Sequence, residues 1–439
     1  MRDLIVYLSC LIFAPWALFG QANHWNTTIN AAQVAMDHGQ YCESESQFVQ
    51  AQKDAETFGP SDLRLAMTLN NLAELYVHEA RYADAESLFT RALGIWEKNK
   101  GSTINDKAIA LNNLAALYAR QGRYDQAESM YQKCLTLREN SLGLEHPDVA
   151  NTLNNLGTLY SEQGKLDQAE PLYRRSVAIK EKALGPGDPA LAFVLNNLAS
   201  LYVRQRRYGE SEILLKRALS IRQAAYGPEH PTVANSLTSL AGLYSQQGRY
   251  SEAEPLQIQS LSIAEKSLGP NHPELAQYLD NLAGIFRLEK RYADAEPLYR
   301  RTLSIREKTL GPEHPQVAES LENLATVLAL KSKEVNVDLL YMRALTIRKK
   351  VYGPENPMVA QSLNDLGVAY EEERKFSEAE QAYSNALTIL GKQPNSDTAT
   401  LATVYTNIAD LYQHQGMHKK ARKMANIAKA LRIRKDSPI

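Results

Sequence analysis

At 439 residues the chain is longer than one compact core accommodates, so several domains or an extended repeat array are expected. Its 49 basic and 50 acidic residues nearly cancel, which removes any global electrostatic case for nucleic acid or an anionic membrane as partner. The 23 tyrosines against 8 phenylalanines point to a recurring position that prefers a ring with a polar tip.

The first 22 residues, "MRDLIVYLSCLIFAPWALFGQA", carry Arg2 and an apolar run from Leu4 to Phe19 broken only by Ser9 and Pro15. Small residues follow at Gly20 and Ala22. This layout predicts a signal peptide over 1–22, cut after Ala22. An exported chain, periplasmic or secreted, with no stable membrane insertion after cleavage would result. The alternative is an uncleaved N-terminal membrane anchor. Cys10 would leave with the signal. Cys42 and Cys134 lie too far apart in sequence to assign a disulfide, and Cys134 stands where other repeats carry Ala or Ser, as a small buried residue would.

From residue 63 the chain is periodic. "LNNLAELY" at 69–76 returns every 42 residues as "LNNLAALY", "LNNLGTLY", "LNNLASLY", "LTSLAGLY", "LDNLAGIF", "LENLATVL", "LNDLGVAY" and "YTNIADLY" (405–412), with no insertion or deletion. A fixed period of this length predicts a solenoid. Leu69, Leu72, Ala73 and Tyr76 form the apolar stripe of a first helix, a turn such as "QGRYD" follows, and Ala85, Leu88, Phe89 and Ala92 line a second helix. Text such as "YGPEHPTVA" at 226–234 then ends one helix with Gly and starts the next with Pro.

Leu72, Ala73, Tyr76, Ala85, Phe89 and Ala92, and in the next unit Leu114, Ala115, Tyr118, Ala127, Tyr131 and Cys134, fall at the spacings of tetratricopeptide repeats rather than of HEAT-like repeats. Over roughly residues 28–435 the chain resembles that family. The 42-residue period with "GPEHPxVAxxLNNLAxLYxxQGRYxxAE" texture resembles its kinesin-light-chain type. The resemblance implies an all-α, right-handed superhelical solenoid of about ten helix–turn–helix repeats. Residues 23–62 read as a divergent N-terminal capping repeat, in which Gly39 and Tyr41 mimic the turn one residue out of step. Residues 63–397 are the tandem repeats, and 398–439 the last repeat with a basic capping helix. The repeat at 321–350 lacks the usual turn text, placing Glu334 and Val337 where an aromatic and Ala belong; looser packing and a hinge are expected there. The final helix holds Lys419, Lys420, Arg422, Lys423, Lys429, Arg432, Arg434 and Lys435, either a solvated cap or an anionic docking surface.

No phosphate loop, nucleophile elbow, dinucleotide fingerprint or metal-spaced Cys/His cluster occurs, so the chain is read as no enzyme, with no cofactor and no metal. His146, His230, His272 and His314 recur one per repeat, too far apart to share an ion, and read as helix-start residues beside the loop residues Glu145, Glu229 and Glu313. Nucleic-acid binding lacks a basic footprint.

Asn is a poor helix former, yet the second Asn of the motif persists at Asn71, Asn113, Asn155, Asn197, Asn281, Asn323 and Asn407, with Ser239 and Asp365 as exceptions. A carboxamide both donates and accepts, so such a row suits the backbone of an extended peptide. The resemblance implies this use on the face lined by the first helices; the competing use is bracing between neighbouring repeats. Asn70, Asn112, Asn154, Asn196 and Asn364 would share the groove or bond within the scaffold. Arg120 and Arg204, with Arg287, are the basic residues placed to join a groove, too few to carry over the family's preference for acidic peptides. The expected function is a non-catalytic scaffold binding a protein or peptide segment. The alternative is a structural subunit of an envelope or secretion complex, docking through its ends and outer faces.

Overall fold

The computed structural model describes residues 22–332, 337–392 and 398–436. The expected signal peptide therefore lies, apart from Ala22, outside the described residues. Among these residues there are helices and turns but no strands, and no helix is long and apolar enough to cross a membrane.

The helices come in ten antiparallel pairs. In chain order they are α1 (22–37) with α2 (Tyr41–Glu56), α3 (Leu63–His78) with α4 (Tyr82–Lys98), α5 (Ile104–Arg120) with α6 (Tyr124–Leu142), and α7 (Pro147–Glu162) with α8 (Leu166–Leu184). Next come α9 (Pro189–Arg204) with α10 (Tyr208–Tyr226), and α11 (Pro231–Gln246) with α12 (Tyr250–Leu268). Then follow α13 (Leu275–Leu288) with α14 (Tyr292–Leu310), α15 (Pro315–Lys331) with α16 (Asp338–Tyr352), α17 (Pro357–Glu372) with α18 (Phe376–Gly391), and α19 (Thr398–His414) with α20 (His418–Asp436). The chain forms two compact units, one up to His272 holding α1–α12, the other from Pro273 holding α13–α20. First helices of successive pairs pack on each other, as α3 on α5, α5 on α7 and α17 on α19.

The turn between the helices of a pair needs one left-handed residue. Gly122, Gly164, Gly248 and Gly416 supply it at no steric cost, whereas Ala80, Arg206, Lys290 and Arg374 hold φ near +60° despite their side chains. Helix starts are capped by the residue before Pro: His146, His230 and His314 Nδ1 accept the backbone N–H of Asp148, Thr232 and Gln316 at 3.2 Å, and Asp188 and Asn356 do likewise. This gives three of the recurrent histidines a positive structural role. The fourth differs: His272 Nε2 lies 3.2 Å from the carbonyl of Asp37, and α13 starts late, at Leu275, with no side-chain cap on Glu274.

That uncapped start, not the irregular repeat 321–350, adjoins the division between the units. Glu334 lies outside the described residues. Val337 and Tyr341 are buried, the larger Val side chain standing where Ala is usual, while α15 and α16 touch each other less than the two helices of the other pairs from α3 onward, in line with the looser packing expected there.

The tyrosine excess has a direct cause. Tyr118 donates its hydroxyl to Glu86 of the preceding pair at 3.0 Å, while Arg123, whose guanidinium sits 4.2 Å over the Tyr118 ring, reaches the same carboxylate at 2.6 Å. Tyr202 and Arg207 with Glu170, and Tyr244 and Arg249 with Glu212, repeat the arrangement. Phe could fill the pocket but could not make the bond.

A second cross-repeat device was hidden in the "IREK" text. Arg138, Arg222, Arg306 and Arg348 are buried, and each donates to the carbonyl ten residues on and to a Ser or Thr hydroxyl fourteen residues on, in the first turns of the next helix. Lys180 does the first of these, to Ala190 O at 3.2 Å. Burying a cation is costly unless its hydrogens are bonded, and the first turns of the next helix take up part of that demand; the Nε of Arg138 and of Arg306 is buried without a partner among the described residues.

Candidate functional site

On each first helix the two amides of the motif are about 100° apart around the axis, so they meet different surroundings. The first is buried: Asn70 and Asn364 are 4 % exposed and Asn154 2 %. The second, at Asn71, Asn113, Asn155, Asn197, Asn281, Asn323 and Asn407, is half-buried. In the first unit they connect across repeats. Asn113 Nδ2 donates to Asn70 Oδ1 at 3.1 Å, and Asn197 Nδ2 to Asn154 Oδ1 at 2.9 Å. Within a repeat, Asn70 and Asn154 point their Nδ2 at the Oδ1 of Asn71 and Asn155, both at 3.4 Å. The result is a partial amide ladder bracing one first helix against the next. Glu74 joins it, accepting from Asn70 at 3.0 Å and from Asn113 at 2.5 Å, and burial holds its carboxyl above the ordinary value against those two bonds.

The ladder is broken twice in the first unit: Asn112 Oδ1 is buried without a hydrogen-bond partner among the described residues although Asn155 stands in the next repeat, and the step to Ser239 fails as well. Ser239 is too short to cross the gap and turns back to Asn235 O at 3.1 Å; the acceptor it would have met, Asn196 Oδ1, is buried without a hydrogen-bond partner among the described residues. In the second unit the buried amide is replaced by Asp280 and Glu322, and these turn toward the buried arginines instead, Arg306–Asp280 at 2.8 Å and Arg348–Glu322 at 2.6 Å. Asn281 there accepts from Gln277 at 3.0 Å, and one ladder step reappears from Asn407 to Asn364 at 2.8 Å.

Asn113 uses its amide nitrogen twice inside the scaffold, whereas Asn155 Nδ2 makes no hydrogen bond among the described residues and Asn197 Nδ2 makes one. One turn before the amides, Met67, Ile109 and Phe193 are 46 %, 36 % and 54 % exposed. Two turns after them the helices end in Arg120, Glu162 and Arg204. The structure brings these three together: desolvation raises the Glu162 carboxyl, and the charges of Arg120 and Arg204 on either side pull it back. Arg204 is also tied to the scaffold, donating to the Ser161 carbonyl and, at 3.0 Å, to its hydroxyl. Arg287 belongs to the second unit and lies beside Tyr299. The first-helix face of the first unit thus carries an apolar row, an amide row and a mixed charged row in register. For the first amides the scaffold role left open by the sequence is the one seen, whereas the buried cations were missed by sequence reasoning; their signal was a basic residue 14 positions before a Ser or Thr, as Arg138 before Thr152 and Arg222 before Ser236.

The tetratricopeptide repeat family profile matches residues 21–98, 106–182, 190–266, 234–308, 276–334 and 340–392. No curated protein matches the chain. Among solved structures it is similar to BtubC (BKLC) from P. vanneervenii, with 25% identity over 53% of this chain and 92% of that one, at a TM-score of 0.43. A protein of Podosopora anserina described as a kinesin light chain, with nearly identical TPR-like repeats, matches at 26% identity over 47% of this chain and 97% of that one, at a TM-score of 0.40. The apo form of RapI matches at 17% identity over 64% and 97%, at a TM-score of 0.48.

Proposed function

The chain belongs to the tetratricopeptide repeat family, a fold that serves as a protein-interaction scaffold, and from that premise we propose that it binds an extended protein segment on the first-helix face of its first unit, without catalysis. The observation that carries this reading is the row Met67, Ile109 and Phe193, three large apolar side chains left in water at one repeat position. Burying them against a ligand recovers apolar area, roughly 25 cal/mol per Å². Beside them, the amide capacity left at Asn155 and Asn197 suits the N–H and C=O of a strand-like backbone, which advances about 3.3 Å per residue. Arg120, Glu162 and Arg204 offer both signs of charge, so the face favours no purely acidic ligand.

Selecting random displayed peptides on the full chain tests the reading. Enriched peptides should lose binding to Ile109→Ser/Phe193→Ser, a variant that leaves the amide ladder and the melting temperature intact. Peptides that bind wild type and variant alike would overturn it. We further propose that the chain acts outside the cytoplasm, on the strength of residues 1–22. N-terminal sequencing of the protein from its own cell should begin at Asn23, and an N-terminus at Met1 in a soluble cytoplasmic fraction would refute export.

A further inference from the structure

Every second helix from α4 to α18 carries an acid at one repeat position: Glu86, Glu128, Glu170, Glu212, Glu254, Glu296, Asp338 and Glu380. This acid receives the next pair. Glu86, Glu170 and Glu212 each take a Tyr and an Arg from it, Glu128 takes Tyr160, Glu380 takes Tyr412, and Asp338 takes Lys375. In α20 the same position is Arg422. Seven residues on, Leu93, Leu135, Val177 and Leu303 pack against the next first helix, and the equivalent in α20 is Lys429. Both stacking positions of the terminal helix have therefore changed to cations.

The rest of α20 reinforces this. Lys419, Lys420, Arg422, Lys423, Lys429 and Arg432 are all exposed, and no acid precedes Asp436 on the helix. Among the described residues none of the six pairs with a carboxylate; Lys420 lies over the Tyr412 ring and Arg432 donates to Thr406. Elsewhere several cations on the second helices are answered across repeats, as in Arg175–Glu139, Arg217–Glu181 and Arg343–Glu307. A cap that only prevents further stacking needs polar residues, not six charges of one sign in a chain whose net charge is −1.

We propose that the outer face of α20 is a charge-reversed stacking site that receives an acidic segment of a partner protein. The partner sits where an eleventh pair would, with carboxylates where the repeats present Arg and Tyr. A bilayer is a poorer occupant, because the apolar side of α20 (Ala421, Met424, Ala428, Leu431) is turned inward on α19 and leaves nothing to insert. The site is separate from the first-helix face and does not depend on the function proposed for it.

The test uses the full chain with a fluorescent poly-glutamate peptide. Saturable binding is expected, weakening about tenfold or more from low to physiological ionic strength. It should be lost in Arg422→Glu/Lys429→Glu and retained in Lys133→Glu/Lys349→Glu, which reverses two exposed cations elsewhere; matched circular dichroism and melting curves establish that both variants fold. Equal binding by the two variants, no binding by wild type, or attachment to phosphatidylserine-rich vesicles without peptide binding would each overturn the proposal. So would wild-type dimerisation abolished by Arg422→Glu, which would make a second copy the occupant.

Discussion

The two units solve one problem in different ways. Both bury a cation at the same place in the second helix, bonded to the first turn of the next repeat. In the first unit the residue 26 positions before it is an amide, as Asn112 precedes Arg138 and Asn196 precedes Arg222. In the second it is a carboxylate, Asp280 for Arg306 and Glu322 for Arg348. The amide leaves the cation to neutral acceptors, but Asn112 and Asn196 keep Oδ1 buried without a partner among the described residues; the ladder is made by Asn70, Asn154 and Asn364, which have Trp96, Lys180 and Leu390 at the cation's place. The carboxylate is held by the cation, and the ladder lapses at that step. The cross-repeat brace is thus seen, among the described residues, only where no buried arginine stands 26 positions after the first amide. The contrast also predicts that only the second unit couples its stability to pH through this position.

Removing the cation breaks the comparison most sharply. Above about pH 8, where Glu322 is ionised, Arg348→Met leaves its charge without a partner and should destabilise the second unit by about 3–5 kcal/mol, whereas Arg138→Met, which leaves neutral groups behind, should cost the first unit about 1–3 kcal/mol. Urea unfolding of the two variants distinguishes these values, and equal losses would mean that the carboxylate contributes nothing particular.

The pH dependence comes next. Burial pushes the Asp280 carboxyl up to about 6 and that of Glu322 up to about 7, outweighing their arginines, against ordinary values of 3.8 and 4.5. With the folded pKa above the unfolded one, the folded state binds more protons between pH 4 and 7. The second unit should therefore gain stability as pH falls from about 8 to 5, by on the order of 2 kcal/mol. Melts across that range should show the gain in wild type and a flatter profile in Glu322→Gln.

Close packing gives a smaller contrast. A Cβ on Gly367 would lie 2.5 Å from the buried ring of Tyr383, and one on Gly157 3.1 Å from Tyr173. Gly367→Ala should cost about 1–3 kcal/mol and Gly157→Ala less, read as midpoint shifts in denaturant. The smallest effect would repair the ladder. Ser239→Asn gives Asn196 Oδ1 a donor and should stabilise the first unit by about 1 kcal/mol in the same assay; no gain would mean that the gap is too wide for the amide to span.

Much of the fold was legible in the sequence because the information is local. Leu72, Ala73 and Tyr76 announce a helix face from their spacing alone, and Gly before Pro announces where one helix stops and the next starts. The amides of the candidate site recur legibly in the sequence, but their contacts do not. Asn71 and its equivalents stand half-buried, and the bonds from Asn113 to Asn70 and from Asn197 to Asn154 run between residues 43 positions apart, a pairing that nothing local encodes. In the irregular repeat 321–350 Val337 is buried, whereas in the regular text after His272 the helix starts late, with no side-chain cap on Glu274.

The sequence by itself determined the period, the helix pairs and the identity of every side chain that recurs, since these follow from spacing within one turn or one repeat. The tertiary structure alone decided which of two adjacent amides is buried, which carboxylate receives an arginine, and which first amides are met by the next repeat. Those outcomes depend on the distance and angle between neighbouring helices, because a hydrogen bond forms or fails within a few tenths of an ångström.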